Sequence, residues 1–288
     1  MLGKISLKRI AINTIKILIS IALLYFIFKK IPFRNVARIW STLNVFYLII
    51  AAVFFLASQV LSTKRLEFYL QANHFNLDFR SNLELYFLGM FYNFFIPGGI
   101  GGDAYKVYIL NKKFGWSAKK MTSTLFNDRL SGLLAICVLI LSFSAFLFEK
   151  KWILLILPMI ATGIAFTFII TKKLFPTYKN IFFKAFLFSI VIQTLQVICF
   201  VLLLKSLGVH DNFMIYMITF LGSSVLSLIS FAGIGVREAL FFQASKYFNF
   251  DASISVSASL LFTVIIAFFS FFGIIFQLRK LHLKLMEN

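Results

Sequence analysis

The run Asn93-Phe94-Phe95-Ile96-Pro97-Gly98-Gly99-Ile100-Gly101-Gly102-Asp103 gathers the residue types that could do chemistry. Proline removes a backbone donor and glycine frees the dihedrals, so a helix reaching Ile96 must stop there. The amides exposed at such a break, beside a helix that opens near Asp103, could cradle a phosphate or another anion. The same residues would serve a tight hairpin in which Asp103 caps a helix over 104–113, and the two roles can coexist. A second run, Ser230 to Glu238, carries Gly233 and Gly235 without the proline and ends in the adjacent opposite charges of Arg237 and Glu238. These are either buried functional groups or interfacial residues that snorkel. A third point is Asp128-Arg129, at the opening of a long apolar stretch. The planar fork of Arg129 suits phosphate or carboxylate, and an arginine there equally fixes a helix's depth. Ser131-Gly132 allows another helix to approach closely, and Glu84 is placed to pair with Arg129 or to cap its own helix.

The elements that must position these groups are membrane helices. Of 288 residues, 60% are hydrophobic and 14% charged, Phe alone numbers 39, and the mean hydropathy is +0.92, so a water-soluble fold would lack a polar shell. Apolar stretches long enough to cross roughly 30 Å of hydrocarbon lie at 12–29, 44–62, 122–148, 152–171, 181–204 and 255–278. Two more, 84–96 and 213–231, are interrupted by the glycine runs before they can cross, and irregular backbone at membrane depth is tolerated only inside protein or along a wet cavity. The expected fold is therefore an all-α integral membrane protein: about six transmembrane helices plus two glycine-broken re-entrant helical hairpins, in one polytopic domain spanning 1–288.

A shift of 134 residues lays Gly99-Ile100-Gly101 on Gly233-Ile234-Gly235 and carries two of the spans close to two others. Halves 1–148 and 149–288 are thus expected to form an inverted repeat, because three crossings per half reverse the second copy. With the N-terminus inside, Lys and Arg divide nineteen inside to nine outside, which places both termini in the cytoplasm. The stretch 12–29 is expected to be a retained helix, since Lys29, Lys30, Ile31 and Pro32 follow it rather than a small-x-small cleavage site.

The net charge of +19 meets anionic lipid rather than nucleic acid, because the basic residues sit in short clusters between apolar runs. Cys137 and Cys199 lie in apolar runs as small core residues, and His74, His210 and His282 fall in connections with no companion at ligand spacing, so neither metal nor cofactor is expected. Nucleotide-binding loops, nucleophile elbows and metalloprotease helices are absent from the sequence.

Taken together, Asn93 to Lys106 (NFFIPGGIGGDAYK), Asp128-Arg129-x-x-Gly132 and Gly233-x-Gly235-x-Arg237-Glu238 resemble the membrane region of lysylphosphatidylglycerol synthases and their stand-alone flippase-like relatives, over nearly the whole chain. The resemblance implies that Gly98, Gly99, Gly101, Gly102 and Asp103 form one re-entrant tip and Gly233, Gly235, Arg237 and Glu238 the other, with Arg129 beside the cavity between them. It also implies movement of a charged lipid between leaflets. In the full-length synthases a separate soluble domain transfers the aminoacyl group; with ten residues after 278, no such domain is expected in this sequence.

The expected function is a flippase of the cell membrane for an anionic phospholipid or lipid-linked sugar, with Asn93, Pro97 and the two tips lining its cavity. Two alternatives stand beside it: a membrane-embedded lipid transferase using Asp103 or Glu238 as general base, and a non-catalytic partner of a separate lipid-modifying enzyme.

Overall fold

A computed structural model describes residues 25, 33–95, 101–147, 153–227, 235–279 and 281–286. Apart from the helical Tyr25, the expected first span lies outside the described residues, as do Pro97, Gly98, Gly99 and Gly233. The remainder is helical: α1 (Phe33–Ser41), α2 (Val45–Gln71), α3 (Phe79–Phe95), α4 (Gly101–Phe114), α5 (Ala118–Ser144), α6 (Ile153–Leu174), a 3-10 turn (Pro176–Ile181), α7 (Phe182–Ser206), α8 (Phe213–Leu226), α9 (Val236–Phe248) and α10 (Ala252–Leu278). The protein is an all-α integral membrane protein. Five of its described helices, α2, α5, α6, α7 with its leading turn, and α10, are long and apolar enough to cross a bilayer.

Local sequence sets the helix starts. Asn44 accepts from the Phe46 N–H ahead of α2, Ser117 from Lys120 ahead of α5, and Asp251 from Ile254 ahead of α10, each satisfying an amide that the helix leaves orphaned. The span expected at 122–148 thus begins at 118, on its serine cap. The span expected at 44–62 runs on to Gln71 because Ser62, Thr63, Arg65 and Glu67 are buried by neighbouring helices rather than released into a loop. The three histidines are exposed, as expected of connections; Cys199 is buried, whereas Cys137 is exposed on α5 rather than in the core.

Besides the nine-residue α1, four shorter helices form two helical hairpins. α3 and α4 run back along one another, with Gly102 against the Gly89 carbonyl, Tyr92 against Tyr105 and the Lys106 ammonium over the Tyr86 ring. The Asn93 Oδ1 accepts from the Gly102 N–H at 2.8 Å and closes the hairpin near its tip. α8 and α9 pair likewise, with Gly222 facing Leu240. At a 1.5 Å rise per residue, helices of 13 to 17 residues fall short of the roughly 30 Å of hydrocarbon.

The order long, short, short, long occurs twice. An offset of 134 residues carries Phe79 onto Phe213, Gly101 onto Gly235, and Ala118 and Ser144 onto Ala252 and Leu278, matching the starts of α3 and α8, both bounds of α5 and α10 and, within one residue, the starts of α4 and α9. Packing follows the same correspondence. The equivalent helices α2 and α7 lie against each other at the centre, and each hairpin's first helix leans on the other series' last helix, α3 on α10 and α8 on α5.

Association between apolar helices in lipid relies on close backbone approach and internal polar contacts. Both are present around α3. A Cβ at Gly102 would overlap the Gly89 carbonyl, and one at Gly273 of α10 would overlap the Phe87 carbonyl on the opposite face. Elsewhere Phe200 stacks on Phe220 and Phe241 at 4.6 and 5.1 Å, with Phe262 edge-on, tying α7 to α10 together. At one end the chain terminus returns along residues 76–78, where Asp78 donates to the Lys284 carbonyl and Met286 to that of Asn76, while the Lys113 ammonium holds the Leu283 carbonyl.

Gly102→Ala and Gly273→Ala are expected to destabilise by about 1–3 kcal/mol through overpacking. Gly163→Ala, where a Cβ meets nothing within 4 Å, should leave thermal unfolding in detergent unchanged; equal melting temperatures for all three variants would show that these approaches are not tight.

Candidate functional site

Three helices meet at Arg65. From α2 its guanidinium forks onto Asp128 of α5, with Nε to Oδ1 at 2.8 Å and Nη2 to Oδ2 at 3.1 Å, while Nη1 donates to Ser189 Oγ of α7 at 2.8 Å. Gly132 makes room, since a Cβ there would stand 3.2 Å from Nη1. One turn away, Asp103 in the first turn of α4 accepts from Arg129 Nε at 2.5 Å and lies 3.9 Å from the Lys106 ammonium. These charges surround a niche of about 210 Å³. Asp103 therefore works through its side chain as the counter-ion of Arg129, within a helix that begins at Gly101 rather than at 104. Glu84 pairs with Arg80 on the surface, not with Arg129.

Past Arg129, Asn93 and Met90 the niche adjoins a larger cavity of about 560 Å³. Its lining comes from both series of helices, and four pairs of lining residues stand 134 apart: Gln59 and Gln193, Met90 and Ser224, Asn93 and Ser227, Ile136 and Ser270. The cavity therefore lies where the two repeats face each other. Arg129 reaches it from α5 and Arg237 from α9, with Phe55, Phe262 and Ile266 supplying apolar wall.

Arg237 and Glu238 do not form an ion pair, although they are adjacent and opposite in charge. Gly235 takes a positive φ of 85°, which glycine adopts without a Cβ clash, and the Glu238 Oε2 accepts its N–H at 2.7 Å. The other oxygen accepts from Ser259 at 2.9 Å and lies 3.5 Å from the Thr263 hydroxyl. Glu238 is thus a fully buried helix cap outside the cavity lining. Arg237, 4% exposed, points the other way. Its guanidinium lies over the Phe262 ring at 4.9 Å and near Phe220 at 5.9 Å, and Nε and Nη1 have no hydrogen-bond partner among the described residues. Neither residue snorkels.

Among the expected site residues, Asn93, Arg129 and Arg237 meet at the large cavity, Asp103 borders the niche, and Gly101, Gly102 and Gly235 shape the helix starts. Arg65 and Lys106, two of the nineteen basic residues counted on the inner side, are both buried, and the cavity residues Gln59, Gln193 and Ser270 were not among the expected site residues. A signal existed for the glutamines, an amide recurring at the repeat offset inside two apolar runs.

The family model for the lysylphosphatidylglycerol synthase TM region matches residues 13–184 and 172–273. The chain belongs to that family. No curated protein matches it. The matched residues of this lysylphosphatidylglycerol synthase TM-region protein include Asn93, Asp103, Arg129 and Arg237, and so the walls of the cavity.

Breaking the buried Arg65–Asp128 pair from one side leaves a buried charge uncompensated, at about 3–5 kcal/mol. Arg65→Met and Asp128→Leu are each expected to lower thermal stability by that order, and the double variant should recover most of the loss. Additive losses in the double-mutant cycle would show that the two side chains are not coupled.

Proposed function

We propose that this protein moves an anionic phospholipid or lipid-linked sugar between leaflets. The observation that carries the reading is the cavity between the two repeats, where a helical hairpin from each repeat meets two guanidiniums of different standing. Arg129 is balanced by Asp103, while Arg237 is held against aromatic rings with Nε and Nη1 unmatched among the described residues. A buried cation of this kind costs several kcal/mol in an apolar setting, and an anionic headgroup offsets that cost while its acyl chains stay in lipid. Family membership supports the lipid part of this reading.

The halves would be inverted copies rocking about the central α2–α7 contact to present the headgroup to each side in turn. The cell membrane with both termini cytoplasmic is the favoured placement. Setting aside the buried Arg65, Lys106 and Arg237 leaves the basic residues seventeen to eight in favour of the inner side. Transport is favoured over transferase chemistry because both candidate bases are engaged, Asp103 by Arg129 and Glu238 by Gly235 and Ser259.

In liposomes, the purified protein is expected to expose labelled phosphatidylglycerol to an external quencher faster than empty vesicles do. Arg129→Gln and Arg237→Gln should each slow this by roughly tenfold or more, the cost of losing one charged contact. A wild-type rate equal to that of empty vesicles would overturn the reading.

A further inference from the structure

The niche beside the large cavity has its own unbalanced charge. Its ionised walls are Arg65, Lys106 and Arg129 against Asp103 and Asp128. Each carboxylate already has a guanidinium, Asp128 in the fork of Arg65 and Asp103 at Arg129 Nε. The positive charge left over is that of Lys106. No carboxylate among the described residues lines the adjoining large cavity to offset it.

Lys106 is 5% exposed. Its ammonium rests over the Tyr86 ring at 4.5 Å and stands 3.9 Å from Asp103 Oδ1, beyond hydrogen-bond reach. The ring face offsets part of the cost of burying an ammonium but supplies no lone pair for its three N–H donors. A buried charge persists where it is paired.

The hairpin itself does not call for a cation at this place. The offset of 134 sets Leu240 of α9 at the position of Lys106, and Cys199, Phe262 and Thr263 at those of Arg65, Asp128 and Arg129. The second repeat therefore builds the equivalent helices without these charges. The charged niche is a feature of the first repeat.

Size and charge set the class of ligand. A volume of about 210 Å³ lies below the roughly 300–1,000 Å³ of pockets that enclose organic molecules. At roughly 30 Å³ per water, it takes an ion with a few waters. One excess positive charge asks for a single negative one.

We propose that the niche is a binding site for a small monovalent inorganic anion such as chloride, seated on the Lys106 ammonium and distinct from the lipid site in the large cavity. With the anion there, Asp103 stays with Arg129 and the niche is neutral. The site needs no assumption about which lipid moves or whether one does.

The test is thermal unfolding of the full chain in detergent, titrated with sodium chloride or bromide against sodium gluconate at constant ionic strength. Both halides are expected to raise the melting temperature along a saturating curve, as a ligand of the folded state does, and gluconate, too large for the niche, is not. Lys106→Met should lose the halide response and melt in gluconate no lower than the wild type does there, because it removes the unbalanced charge. Arg237→Gln, outside the niche, should keep the response. A lysine with a merely structural role predicts instead that Lys106→Met lowers the melting temperature equally in halide and gluconate, and that result overturns the proposal. So does a wild type indifferent to halide, as a neutral Lys106 amine would give. Should Lys106→Met fail to fold, crystals of the wild type soaked in bromide decide: an anomalous peak against the Lys106 ammonium is expected, and peaks only elsewhere overturn the site. A halide response abolished by saturating phosphatidylglycerol would make the occupant a lipid phosphate rather than a free ion and overturn the assignment. Liposome transport without halide binding sinks this proposal alone, and halide binding without transport sinks the flippase reading alone.

Discussion

Backbone that leaves a helix inside a membrane must find its hydrogen bonds within the protein, and the two hairpins meet this constraint by opposite means. In the first, the neutral amide of Asn93 on the incoming helix accepts the N–H of Gly102. In the second, the charged Glu238 on the outgoing helix accepts that of Gly235. The choice has an electrostatic consequence. Because an amide closes the first hairpin, the carboxylate of Asp103 is available to balance Arg129. Because a carboxylate closes the second, Glu238 is occupied beneath the helix start and the neighbouring Arg237 faces the cavity over Phe262. The cation at the centre of the proposed site is thus a by-product of how one glycine amide was satisfied.

The buried charges also hold the repeats to each other. Arg65 belongs to the first repeat, yet its fork reaches Asp128 of the same repeat and Ser189 of the second, with Ser131 completing the link to Ser189. In lipid, where apolar surface gains little by meeting other apolar surface, such contacts and the glycine approaches at Gly102 and Gly273 carry the specificity of packing. Each demands a neighbour without a side chain. Gly132 makes room for Arg65, Gly89 for Lys106, and Gly102 for the Gly89 carbonyl.

Much of this was legible in the sequence, for identifiable reasons. Membrane helices announce themselves by long apolar runs, and α6, α7 and α10 end close to where those runs end. The repeat offset of 134 was visible in three residues around each glycine tip and holds for the helix bounds. What could not be read was which polar residues the helices bury. Ser62 to Gln71 has the composition of a loop, and only the presence of α5 and α7 around it turns Arg65 inward. Glu238 and Arg237 looked like a pair because they are adjacent, but consecutive positions on a helix point about 100° apart, so a cap and a cavity residue can be neighbours in sequence and face different surroundings.

The recurrence of helix bounds at an offset of 134 accounts for where the cavity lies, and the differences between equivalent residues for its chemistry. Two similar units packed about α2 and α7 bring equivalent residues to the same central space, which is why Gln59 and Gln193 both reach it. Were the two units identical, each wall would offer the same groups and a headgroup would have no preferred side. Instead the position that holds Asp103 in the first copy holds Arg237 in the second, and Met90 and Ile136 in the first copy face Ser224 and Ser270 in the second. Each wall of the cavity carries one arginine, Arg129 or Arg237, and the two walls differ in that the second adds the hydroxyls of Ser224, Ser227 and Ser270.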